Sequence, residues 1–238
     1  MMQKILPDLL SYIPILSLIA IAFYLYFSNR ISKEKVNHFL LLGLIFTVVS
    51  HVFQYYVTKY LVLQYDSFDS ASGIKKWYPV MSLLGGFGYK LIFYGIITYL
   101  LKFEILKNDI KRENIFLLII YSVLSFGLYI PYWFIKKNIK FNGNLTVWII
   151  LMIFFLSCSH VSVIHFFDSF SNPDDFLMTM YWLGQIGYVV SFLVGIFSLQ
   201  KLIVEKLKGI EINSAGTFFL GVIYIQATLN NYIKKHEK

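Results

Sequence analysis

Charge is what this sequence has least of. Only 14% of its 238 residues are Asp, Glu, Lys or Arg, against about 25% in ordinary soluble domains. A single cysteine, Cys158, excludes an intramolecular disulfide, a CxxC pair and any multi-cysteine zinc site. Acidic residues number 13 against 21 basic ones, and of these acids only Asp8, at the edge of the first apolar run, touches a clear run. The apolar runs also carry no Walker A, GxSxG, HExxH or GxGxxG pattern and no acidic pair at catalytic spacing. Hydrolase or transferase chemistry inside them would need a carboxylate pair or a nucleophile dyad, so an enzyme is the minority reading.

Apolar and aromatic residues make up 58% of the chain, and the mean hydropathy is +0.65. Crossing about 30 Å of hydrocarbon takes about 20 apolar residues as helix. Five runs satisfy that: residues 7–28, 38–63, 79–101, 146–167 and 178–200. The first, from Leu9 to Phe27, is too long for a signal-peptide core and lacks a small-x-small cleavage site after it, so it reads as a retained span. Two further stretches behave differently. Ile115 to Ile135 is long enough but holds Ser125, Phe126, Gly127 and Pro131, a turn-capable sequence. Ala215 to Ile233 keeps an apolar run of only about eleven residues before Gln226, Thr228, Asn230 and Asn231, short for a span. Both are expected to be re-entrant hairpins or interfacial helices.

Charge placement arbitrates between five crossings and the alternative of seven, because short cytoplasmic loops are enriched in Lys and Arg. Lys4, Lys59 and Lys90, in the amino-terminal tail or within spans, are set aside. With seven crossings and the amino terminus outside, inner segments hold ten cations and outer ones eight. With five crossings the inner segments hold sixteen, and only Lys75 and Lys76 remain outside. Asp66, Asp69, Asp168, Asp174 and Asp175 then all fall in outer loops. The expected architecture is therefore an all-α integral membrane protein, one transmembrane domain over residues 1–238. It has five full helices and two re-entrant or interfacial segments, its amino terminus outside and its carboxy terminus cytoplasmic. The net charge of +8 needs no nucleic acid. A basic inner surface instead predicts anionic lipid headgroups as partners.

The segment Leu124-Ser-Phe-Gly-Leu-Tyr-Ile-Pro-Tyr-Trp-Phe-Ile-Lys-Lys-Asn-Ile-Lys-Phe-Asn142 has a Gly-x-Tyr-x-x-Tyr-Trp pattern running into a basic stretch. Tyr224-Ile-Gln-Ala-Thr-Leu-Asn-Asn231 closes the chain with Gln-x-x-x-Asn. Together, over about a ninth of the chain, these resemble the signature of a family of small bacterial multi-pass membrane proteins whose function is unknown. The resemblance implies architecture and no activity.

Six polar residues inside the runs are candidates for a pocket opening outward: Lys90, His51, Gln54, His160, Gln185 and Tyr188. Lys90 sits eleven positions into its run, about 16 Å from the outer end at 1.5 Å per residue, and an ionisable residue at such depth is functional by default. Its neighbours Gly85, Gly86 and Gly88 offer a bland alternative, a helix break that lifts Lys90 toward the surface. His51, Gln54, Tyr55 and Thr58 form one helical stripe. His160 and Gln185 each lie about seven residues from the outer surface. The same groups could equally be interhelical hydrogen-bond glue. His165 and Asp168, three apart, are the candidate ligands of an outer metal site. His160 and His165, about 140° apart on a helix, cannot share a metal. Nothing supports haem, and no cofactor is expected. Three function classes follow: binding or translocation of a small solute or anion; a structural or partner-binding membrane subunit, in a homo-oligomer or with another membrane protein; and a membrane enzyme with an outer metal site.

Overall fold

The structure, a computed structural model, describes residues 38–56, 78–107, 112–168 and 175–236, with residues 20, 24 and 27 besides. Side chains are described for all of these except 55, 78, 101–107, 164–168 and 175. The expected span 7–28, apart from those three residues, and the end of 38–63 lie outside the described residues. Among the described residues every regular element is helical: α1 His38–Tyr56, α2 Tyr78–Lys107, α3 Ile115–Leu124, α4 Tyr129–Lys140, α5 Thr146–Asp168, α6 Asp175–Lys206 and α7 Ser214–His236. Among the described residues three stretches are long and apolar enough to cross a membrane: Pro79–Leu100, Thr146–Val163 and Phe176–Lys206. The chain divides into two compact units, Met1–Tyr99 and Leu100–Lys238.

In the first unit α1 and α2 run antiparallel in very close approach. A Cβ on Gly88 would stand 2.8 Å from the backbone nitrogen of Thr47, and one on Gly43 would stand 2.8 Å from the backbone nitrogen of Ile92. Small residues let helix backbones meet where lipid supplies no hydrophobic drive between helices. The Gly85 to Gly88 segment therefore does not break α2, which is helical throughout. Leu40, Leu44 and Ile92 are buried beside this seam, and the Ser50 hydroxyl donates to the Met81 carbonyl at 3.0 Å.

The second unit is built on the antiparallel pair α5 and α6. Gly184 lies against the backbone of Ser159 and Phe155, so the same small-residue logic brings these helices together. Ile149, Met152 and Ile153 on α5 and Ile196, Leu199 and Ile203 on α6 are fully buried.

Helices α3 and α4 form a hairpin against this pair. Asn114 caps α3, its side chain accepting from the amides of Phe116 and Leu117. Ten residues later the helix ends with Phe126 and Gly127 at φ 50° and 84°. The Gly127 amide donates to the Ser122 carbonyl and the Phe126 amide to the Val123 carbonyl, the paired bonds of a left-handed helix stop. The Ser125 hydroxyl then accepts from the Tyr129 amide at 2.8 Å, starting α4. A ten-residue helix is about 15 Å long, half the hydrocarbon thickness of about 30 Å.

Helix α7 bends at Gly221, whose φ of 48° and ψ of −124° is territory that only glycine occupies readily. The bend lies against the Phe192 ring of α6. Before it, the chain is held at the carboxy-terminal end of α6, where Gln200 Nε2 donates to the Ile212 carbonyl at 2.8 Å. After it, α7 returns to that end, and the Tyr232 hydroxyl donates to the Lys208 carbonyl. The turn expected at Ser125 to Gly127 is thus present. Each of the two atypical apolar stretches starts and finishes at the same end of the second unit.

Candidate functional site

That shared end is polar. Glu113, just before α3, is its hub: the carboxylate accepts from Lys136 at 2.8 Å and from Lys137 at 3.1 Å. Asn230 of α7 grips the Glu113 backbone from both sides, Nδ2 donating to its carbonyl at 2.7 Å and Oδ1 accepting from its amide at 3.1 Å. Gln226, one turn earlier, donates through Nε2 to Asn230 Oδ1 at 2.9 Å and accepts at Oε1 from the Trp133 indole at 3.2 Å. The Lys137 ammonium lies 5.4 Å from the Trp133 ring centre, within cation–π range. Lys137 is 4% exposed. Burial pushes its ammonium below the usual lysine range although Glu113 opposes the shift. Burial alone would raise the Glu113 carboxyl, but the two ammonium groups outweigh it and hold the group below the ordinary carboxylate range. The Tyr132-Trp133 segment of α4 and the Gln226-x-x-x-Asn230 segment of α7 therefore meet in one hydrogen-bonded network. Sequence reasoning missed Glu113 and Lys137 as partners; the i, i+4 spacing of Gln226 and Asn230 was the available signal.

A second polar constellation lies at the far tip of the α3–α4 hairpin. His160 on α5 donates from Nε2 to the Phe126 carbonyl at 3.1 Å, tying the tip to the middle of α5. A Cβ on Gly127 would stand 3.8 Å from the Tyr188 hydroxyl of α6. That hydroxyl is buried and, among the described residues, has no hydrogen-bond partner. Two of the predicted pocket residues, His160 and Tyr188, are thus brought to one place, around an irregular piece of backbone. In a membrane such backbone is tolerated only where protein buries it or where it lines a watery cavity.

The remaining candidates are distributed otherwise. Gln185 is exposed on α6, and Gln54 is exposed on α1. His51 is half-buried and structurally engaged. Its Nδ1 donates to the Thr47 carbonyl at 2.9 Å, and its Nε2 shares a hydrogen bond with the Tyr89 hydroxyl at 3.2 Å. Lys90 is half-buried in the unbroken α2 and belongs, with His51, to the first unit. His165 and Asp168 lie on α5, with side chains outside those described. Comparison with protein-family models, curated proteins and solved structures finds no match.

Proposed function

We propose that this integral membrane protein binds a small polar solute or anion at the tip of the α3–α4 hairpin, as a step in moving it across the bilayer. The observation that carries the reading is the buried Tyr188 hydroxyl, which has no hydrogen-bond partner among the described residues. Leaving a buried hydroxyl without a partner costs about 1–3 kcal/mol, and more where no water competes. A solute oxygen accepting from Tyr188 would remove that cost. Because His160 holds the Phe126 carbonyl, the tip stays at a depth of about 15 Å from the basic end, where a bound solute would be midway across. The proposed topology keeps five crossings in the cell membrane, with the amino terminus outside, the carboxy terminus cytoplasmic and both hairpins entering from the basic inner side.

A second reading, a structural or partner-binding subunit resting on anionic lipid, is favoured by a different observation. Lys140, Lys201, Lys206, Lys234 and Lys235, on elements that finish at one end of the second unit, and Lys208 in the loop after α6 gather cations there, apart from the two lysines already paired with Glu113. Each cation near an anionic leaflet contributes about 1 kcal/mol.

One experiment separates the two. Purified protein is melted in detergent with chloride, formate, inorganic phosphate or urea, alongside Tyr188→Phe. The solute reading predicts that at least one of these raises the melting temperature of the native protein and fails to raise that of Tyr188→Phe. A Tyr188→Phe protein that is simply more stable by about 1–3 kcal/mol, with no solute acting on either form, would refute solute binding and leave the subunit reading.

A further inference from the structure

At the basic end, the carboxy-terminal turns of α6 and the loop leading to α7 enclose an open groove of about 530 Å³. Gln200 builds its wall, donating from Nε2 to the Ile212 carbonyl and to the Ser214 hydroxyl, which pins residues 207–213 against α6. Phe197 and Val204 supply apolar lining, while Lys201, Glu205 and Glu211 bring one ammonium and two carboxylates to the same groove. All three charged side chains are exposed.

The groove does not stop at the charged residues. Val190, Val194, Phe197, Lys201 and Val204 recur at intervals of four and three, one face of a helix. Val190 and Val194 are exposed, so an apolar track leads away from Lys201 toward the middle of α6. From Val190 to Lys201 it runs about 16 Å at 1.5 Å per residue, close to the depth of one leaflet, about 15 Å. A track of that length ending in a charged groove has the dimensions of a phospholipid, chain on the stripe and headgroup among the charges.

The charges select the headgroup. Lys201 complements a phosphate. Two carboxylates beside it disfavour a purely anionic headgroup and complement a cationic one, and carboxylates bind N–H donors more strongly than methylated nitrogen, which has none to give. We infer that this groove holds a zwitterionic phospholipid with a primary ammonium headgroup, its phosphate on Lys201, its ammonium on Glu205 and Glu211, and one acyl chain along the Val190, Val194 and Phe197 face. The site is independent of the hairpin tip and of the general attraction of the lysines for anionic lipid.

Full-length protein is reconstituted in bilayers of equal parts phosphatidylethanolamine, phosphatidylcholine and phosphatidylglycerol, and its retained lipids are read by native mass spectrometry. The ethanolamine lipid is expected to outnumber the choline lipid by about tenfold, the effect of one charge-assisted hydrogen bond. In Glu205→Gln/Glu211→Gln that ratio should fall to about one, with phosphatidylglycerol retained as before. Both changes are at exposed positions, and unchanged thermal unfolding checks that the fold persists. A Val194→Trp variant, which fills the track, should lose the ethanolamine lipid with the carboxylates intact. Equal retention of ethanolamine and choline lipids in the native protein, a ratio unmoved by the double substitution, or a dimer without bound lipid would overturn the assignment.

Discussion

Glu113 shows how much a single residue can be asked to do, through its carboxylate and its backbone together. It joins the start of α3 to the end of α4 through two lysines, and to α7 through Asn230. Removing one member of a buried ion pair leaves its partner's charge uncompensated, at a cost of about 3–5 kcal/mol. Glu113→Gln is therefore expected to lower stability by about 3 kcal/mol in detergent unfolding monitored by circular dichroism, because Lys137 is nearly inaccessible while Lys136 can turn to solvent. A change under about 0.5 kcal/mol, typical of exposed pairs, would show that the pair is idle. The pH dependence follows from the lowered carboxyl. Its folded value lies below the ordinary 4.5, so the stabilisation is fully present above that pH and is lost as pH falls through the folded value. Glu113→Gln should accordingly be insensitive to pH over the window in which the native protein weakens. None of this was legible locally. Lys90 attracted notice because it interrupts an apolar run, whereas Glu113 and Lys137 sit in basic, loop-like sequence where charge is ordinary. Glu113 is gripped by Asn230 of α7, 117 residues further along the chain.

At the scale of elements, the long helices were legible because an apolar run long enough to span has few alternatives. The turn at Ser125 to Gly127 was legible too, from residues that stop helices. The glycines of α2 were not, since Gly85, Gly86 and Gly88 are equally compatible with a break and with a contact surface. The structure distinguishes them by what each faces. Gly88 meets the Thr47 backbone, while among the described residues nothing lies within 4 Å of a Cβ on Gly86. Gly88→Leu should push α1 and α2 apart and cost at least about 1–3 kcal/mol, as overpacking does. Gly86→Ala should be neutral or gain up to about 1 kcal/mol from helix propensity. Thermal unfolding of the two variants checks the contact, and similar destabilisation by both would mean that α2 needs flexibility rather than close approach.

For the whole molecule, the central claim is that residues 115–140 and 214–236 enter and leave on one side. The cation asymmetry pointed there, and the ion pair of Glu113 with Lys137 and the bond of Tyr232 to Lys208 bring the ends of each hairpin together. The convergence of polar side chains was only partly legible: the sequence selects which residues are polar within apolar runs, while which of them converge depends on helix rotation. His160 and Tyr188 meet at the hairpin tip, whereas Gln54 and Gln185 face outward from the chain. The most direct test replaces Arg112, Asn142 and Asn213, all exposed, singly by cysteine in a Cys158→Ser background. Each is then exposed in intact cells to a membrane-impermeant thiol reagent. All three are predicted to be protected until the membrane is permeabilised and to react fully afterwards. Labelling of Asn142→Cys from outside while Arg112→Cys stays protected would mean that α3 and α4 together cross the bilayer, and would contradict the account.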